Sequence, residues 1–154
     1  MQVAQAYEST ERQHSGIVPN FPSDATGSIS EVVDLRVLVV EDSEMDFRII
    51  NRTLQLMDTY RAHCFKASNI EAVKRLAGKN QFDVALVDYD LDDFKGDAFV
   101  RRLREMERTT PVVAVSAHDD GNAALVAAGA NAICAKGEFA HIGEVLQQIV
   151  ERSP

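Results

Sequence analysis

An α/β fold built on a doubly wound parallel sheet is what this sequence predicts, and three observations predict it. From Leu35 onward, five strand-like runs alternate with five helical patterns. The first, third and fourth runs, "RVLVV", "FDVALV" and "VVAV", are nearly all apolar, as strands covered by helices on both faces must be. Four of the five runs end at a charged or hydroxyl side chain. An open α/β sheet places its ligand there, beyond the carboxyl ends of its strands, where the strand order switches.

The elements follow in chain order. Residues 1–34 hold Pro19 and Pro22 in the turn-rich stretch "GIVPNFPSDATGS" and sustain no apolar period. They predict a flexible N-terminal extension, with one domain over 35–154. After the first strand, Phe47, Ile50, Leu54 and Met57 recur at helical spacing. "RAHCFKA" is the second strand. Ser68 with Glu71 makes a capping box for a second helix carrying Ile70, Val73, Leu76 and Ala77, and Gly78 is expected to end it. The third strand, "FDVALVD", leads to a helix marked by Phe99, Leu103 and Met106. Pro111 opens the fourth strand. An alanine-rich helix from Asp119 to Ala128 stops at Gly129, and "AICAK" is the fifth strand. The last helix uses Phe139, Ile142, Leu146, Ile149 and Val150.

Composition narrows the function classes. Hydrophobic residues make up 45% of the 154 and charged residues 26%, the profile of a soluble globular domain with room for a real core. Net charge is −8, and the one basic cluster is Arg101, Arg102 and Arg104. Nucleic acid and anionic membrane are therefore excluded as main partners. The sequence has neither a signal peptide's basic start and apolar stretch nor an apolar run as long as a membrane span, so a cytoplasmic protein is expected. Cys64 and Cys134 make no metal spacing and are expected as buried free thiols on opposite edges of the sheet, too far apart for a disulfide.

Glu41 and Asp42 stand at the end of the first strand, Asp88 at the third, Ser116 at the fourth and Lys136 at the fifth. Three acids, a hydroxyl and an amine thus converge on one edge. Carboxylate oxygens without histidine or thiolate suit magnesium, which keeps several waters and leaves room for a phosphoryl oxygen. An ionised aspartate beside such an ion is a competent nucleophile toward phosphorus. Lys136 and Ser116 could share the phosphoryl charge with the metal.

The motifs "VLVVEDS", "DVALVDYDLDDFKGDAF", "PVVAVSA" and "GANAICAKGE" resemble the receiver domain of bacterial two-component response regulators over about Leu35 to Ser153. The resemblance implies a flavodoxin-like (βα)5 sheet of strand order 2-1-3-4-5. It implies that Asp88 accepts a phosphoryl group, that Asp42 binds magnesium directly and Glu41 through water or at the periphery, and that Asp90 offers its backbone carbonyl to the ion. Lys136 would pair with Asp88 and then with the phosphoryl group, while Ser116 would report its arrival. Gly96 falls where the family usually has glycine. The side chains of Asp90 and His118 would flank the phosphoryl group, where an acid at Asp90 could perturb the attacking water. Three positions depart from the pattern: Asp92 and Gly137 stand where proline is common, and Ile133 takes the switch position, usually aromatic, on the fifth strand. Ile133 by itself is a core residue in its simplest reading.

Other readings of "DYDLDD" are weaker. An EF-hand loop starting at Asp88 wants glycine at its sixth position and glutamate at its twelfth, where this chain has Asp93 and Phe99. A haloacid-dehalogenase-like phosphatase motif wants a hydroxyl where Asp92 stands. At least two of Asp92, Asp93 and Asp97 are expected to be solvated loop acids. A phosphorylation-independent interaction module of the same fold is the remaining alternative. The family resemblance implies a sensor histidine kinase or histidine phosphotransfer protein as partner. With no room after the last helix for an output module, output is expected through binding, with a homodimer or partner contact at helix 4, strand 5 and helix 5.

Overall fold

A computed structural model describes residues 31–79, 81–106 and 108–152. The expected N-terminal extension lies outside them except for its last four residues. The first run forms β1 (Val33–Val40), followed by α1 (Glu44–Leu54), β2 (Tyr60–Ala67), α2 (Ile70–Lys79) and β3 (Val84–Val87). Then come α3 (Gly96–Glu105), β4 (Val112–Ala114), α4 (Asp119–Ala128), β5 (Ala132–Ile133), a 3-10 segment (Lys136–His141) and α5 (Ile142–Arg152). All five strands are parallel, in the order β2-β1-β3-β4-β5, as expected.

Strand alternation divides the core in two. Leu38, Val40, Ala85, Val87, Val112 and Ala114 point to one face, where α2, α3 and α4 cover them with Val73, Phe99, Val100 and Leu125. Val37, Val39, Val84, Leu86, Val113 and Val115 point to the other, under Ile50 and Leu54 of α1 and Ile142 and Leu146 of α5. Because Val37–Val40 of β1 and all of β3 are sheathed on both faces, these residues need no polar alternates. Each buried aliphatic side chain is worth about 1.5–3 kcal/mol.

Several boundaries differ from the sequence expectation. The cap of α2 is Asn69, not Ser68: Asn69 Oδ1 accepts from Ala72 N at 2.8 Å and its carbonyl from Val73 N at 3.1 Å. Asparagine caps as well as serine, so the neighbouring residue took the role. Gly78 does not end α2, which continues to Lys79; among the described glycines only Gly129 has positive φ, the conformation that makes glycine a terminator. Gly129, at φ 120°, ends α4 where the sequence placed the stop. Met57 and Met106 fall just past α1 and α3 rather than within them. Ile133, read as core, is 47% exposed, because β5 is a two-residue edge strand with one side open. Cys64 and Cys134 are free, and burial pushes both thiols up to about 11, helped at Cys134 by the Glu138 carboxylate. No helix among the described residues is long and apolar enough to cross a membrane.

Arg104 locks α3 to the loop before β4 and to the loop before β5. Its guanidinium donates to the Gly129 carbonyl at 3.1 and 3.0 Å, to the carbonyls of Arg108 and Thr110 at 2.8 and 2.9 Å, and to Asn131 Oδ1 at 2.9 Å. Arg104→Met keeps the aliphatic stem and strands these acceptors. It should cost about 1.5–3 kcal/mol in urea unfolding, the range for charged hydrogen bonds; a loss below a few tenths would show that water replaces the guanidinium freely.

Candidate functional site

The parallel sheet brings the chain out of β1, β3, β4 and β5 at one edge, and the polar residues sit just beyond the strands rather than within them. Glu41 follows β1 directly, and its N–H donates to the Ala67 carbonyl of β2 at 3.1 Å. Asp88 follows β3, with its N–H on the Val40 carbonyl at 2.9 Å. Ser116 lies two residues past β4, and Lys136 three past β5. The Lys136 N–H reaches the Ser116 carbonyl at 3.3 Å, so these two turns are stitched together through their backbones.

Lys136 is the hub. Its Nζ lies 2.9 Å from Asp88 Oδ2, 2.9 Å from Glu41 Oε2 and 2.7 Å from Asp46 Oδ2. Burial disfavours the ammonium, but its partnership with Asp46, Asp88 and Glu41 outweighs that and holds its pKa above the usual lysine value. Glu41 is fully buried, and desolvation is the main cause that pushes its carboxyl up to about 7 against the pull of Lys136 and the Ser43 N–H. Asp88 is also buried; its Oδ1 accepts the Tyr89 N–H at 2.8 Å, which leaves Oδ2 for the lysine. The sequence singled out Glu41, Asp88 and Lys136, and the structure brings them together. It missed Asp46, which in the chain looks like an ordinary first-turn acid capped by Ser43.

Glu41, Asp42 and Asp88 each offer a carboxylate oxygen, all within 4.8 Å of one another. Glu41 Oε2 is sealed from solvent without an aligned hydrogen-bond donor, and the lysine ammonium is the cation that faces it. An all-oxygen donor set fits a hard divalent cation and not a thiolate- or imidazole-seeking one.

The other predicted residues are placed as follows. Asp90 is half exposed; its Oδ1 pairs with Lys95 Nζ at 2.5 Å, and that hydrogen bond holds its carboxyl below the usual range. Ser116 is buried, and its Oγ accepts the His118 N–H at 3.3 Å. Asp92 and Asp93 are exposed loop acids, as expected, although Asp93 also accepts the Ile70 N–H at 3.4 Å; Asp97 lies in the first turn of α3 and pairs with Arg101 at 2.5 Å. The Asp42 carboxyl beside Asp92, at the proline position, holds the Asp92 carboxyl above the usual range.

Gly96 is required by close approach. Its N–H donates to the Tyr89 carbonyl at 2.8 Å, and a Cβ there would stand 1.8 Å from the Asp88 carbonyl oxygen. Gly96→Ala should therefore cost about 1–3 kcal/mol by overpacking and displace the backbone at Asp88. Thermal unfolding would show the loss, and an unchanged midpoint would mean that the loop can step aside.

Residues 37–147 match the family described as the response regulator receiver domain, and the chain belongs to that family. An 85-residue stretch, 54% of the chain, is 32% identical to the sensor protein TorS of Escherichia coli (strain K12), of which it spans only 9%. Among solved structures, the receiver domain of the Francisella response regulator 1452 superposes with a TM-score of 0.69 at 19% identity, covering 78% of this chain and 99% of that one. The phosphorylated cyanobacterial phytochrome response regulator RcpA does so with a TM-score of 0.62 at 19% identity, covering 77% and 93%.

Proposed function

We propose that this chain is a phosphoacceptor, taking a phosphoryl group onto Asp88 from the phosphohistidine of a sensor histidine kinase or histidine phosphotransfer protein. The observation that carries the reading is the Lys136 ammonium, bridging Asp88 and buried Glu41 from a different strand end. That RcpA, a protein of the same fold, was solved phosphorylated supports it. The side chains of Glu41, Asp42 and Asp88 and the backbone carbonyl of Asp90 would hold magnesium. When bound, the ion neutralises charge on the phosphoryl oxygens and keeps the acceptor ionised.

The chain's own groups do the rest. An Asp88 carboxylate oxygen attacks phosphorus as the bond to the histidine nitrogen breaks, and the electron pair of that bond returns to the imidazole. Lys136, already on Asp88, is placed to follow the negative charge onto a phosphoryl oxygen. The Ser116 hydroxyl, whose only described bond is accepted from His118, has its proton free to donate to another. Asp46 holds the lysine in place from the first turn of α1. Turnover of free substrate is not part of this reading. The product is the modified chain, with its effect exerted by protein binding in the cytoplasm. The surface of α4, β5 and α5, where Val126 and Ile133 are 44% and 47% exposed, is the proposed contact for a partner or a second copy.

The test is intact mass after incubation with magnesium and acetyl phosphate. The wild type should gain one phosphoryl group and Asp88→Asn none. An equal gain in the variant would place the acceptor elsewhere, and no gain in either, even with a histidine kinase as donor, would leave a binding module of receiver fold.

A further inference from the structure

Asn122 is out of place by composition. It sits in the alanine-rich helix α4, on the face that buries Leu125 and Ala128, and it is itself 2% exposed. A buried amide is costly unless both of its ends are hydrogen-bonded. Here both go to one residue: Asn122 Oδ1 accepts the Ser116 N–H at 2.9 Å, and Nδ2 donates to the Ser116 carbonyl at 3.1 Å. The ladder strand has ended at Ala114, so the side chain supplies the acceptor that the Ser116 N–H would otherwise lack and a second donor to its carbonyl. The same Ser116 carbonyl accepts the Lys136 N–H.

The neighbouring residue tightens the joint. A Cβ on Gly121 would stand 2.6 Å from Ser116 Oγ and 2.9 Å from Tyr89 Cβ, so α4 begins in direct contact with the hydroxyl residue and with the residue after Asp88. Apart from Leu125, the buried residues of α4 are Gly121, Asn122 and Ala128, none of them a large apolar anchor. Ile133, by contrast, is exposed on an edge strand and is not clamped to Ser116 by any described side-chain bond.

We propose that Asn122 is the positioning residue that ties Ser116 to α4, so that a phosphoryl group at Asp88 is read out through the first turns of this helix. The inference rests on the phosphoacceptor reading. When Ser116 Oγ turns to the phosphoryl group, the Ser116 backbone shifts with it, and the two amide bonds carry the shift into α4. A rigid clamp transmits displacement that a packing contact would absorb.

The experiment is hydrogen–deuterium exchange on the full chain with and without magnesium and beryllofluoride, a phosphoryl mimic. Intact mass after acetyl phosphate is recorded on the same samples. In the wild type, exchange over Asp119–Ala128 should change several-fold on adding beryllofluoride. In Asn122→Ala that change should be lost while the phosphoryl adduct still forms. Leu125→Ala, which loosens α4 by packing alone, should keep the change. If Asn122→Ala does not fold, Asn122→Ser serves in its place, with the same loss expected. An α4 response in the Asn122 variant equal to that of the wild type, or a wild type that takes the adduct without any α4 response, overturns the inference and leaves the phosphoacceptor reading standing. Absence of the adduct in the wild type overturns both.

Discussion

Lys136→Met should lower stability by about 3–5 kcal/mol at pH 8, the usual cost of stripping one partner from a buried ion pair. Three carboxylates, on Glu41, Asp46 and Asp88, lose their shared cation, and one of them is fully buried. The deficit should shrink at pH 5.5. Glu41 shows why: burial raises its folded-state value from 4.5 to about 7 even with the lysine present. Between those values the folded state binds more protons than the unfolded one. Its contribution to stability is therefore greatest below about 4.5 and falls as pH rises toward 7. Without Lys136 the carboxyl is driven further toward its neutral form, so acid relieves the variant more than the wild type. Urea unfolding at the two pH values measures this. An equal deficit at both would mean that the loss is one of packing, with the charges solvated.

Magnesium should stabilise the protein in proportion to site occupancy, by about 2.7 kcal/mol at a free concentration one hundred times the dissociation constant. The cause is the close set of Glu41, Asp42 and Asp88, whose mutual repulsion the lysine relieves only in part. Asp42→Asn should lose most of the magnesium-induced gain. Without the ion it should be no less stable than the wild type, since it removes a like charge from beside Glu41, Asp88 and Asp92. Unfolding curves over a magnesium series decide it; an undiminished gain in Asp42→Asn would put the ion elsewhere.

The sheet was legible because β1, β3 and β4 carry valine-rich apolar runs and the intervening helices carry apolar residues at helical spacing. The limits of α4 were legible for a local reason, the positive-φ Gly129. The α2 boundaries were less so, because Ser68 and Asn69 are equivalent caps in sequence and Gly78 adopts helical backbone. Of the candidate site, Glu41, Asp42, Asp88, Ser116 and Lys136 could be found by asking what stands where each strand ends. Asp46 could not, because its contact with Lys136 joins residues 90 positions apart and its local setting is that of any first-turn acid. Asn122 left a signal, a polar residue three before Leu125 on an apolar face, but alanine-rich periodicity hides a single amide. The exposure of Ile133 follows from the brevity of β5, which no residue pattern within "AICAK" announces.

Borohydride trapping of the phosphorylated chain, followed by peptide mass mapping, locates the acceptor. Borohydride reduces an aspartyl phosphate to homoserine and leaves phosphoserine, phosphohistidine and free aspartate untouched. Homoserine is expected at position 88, dependent on prior treatment with magnesium and phosphodonor. Homoserine at Asp42, Asp90 or Asp92 in its place, or phosphate recovered only on a histidine or serine, would contradict it.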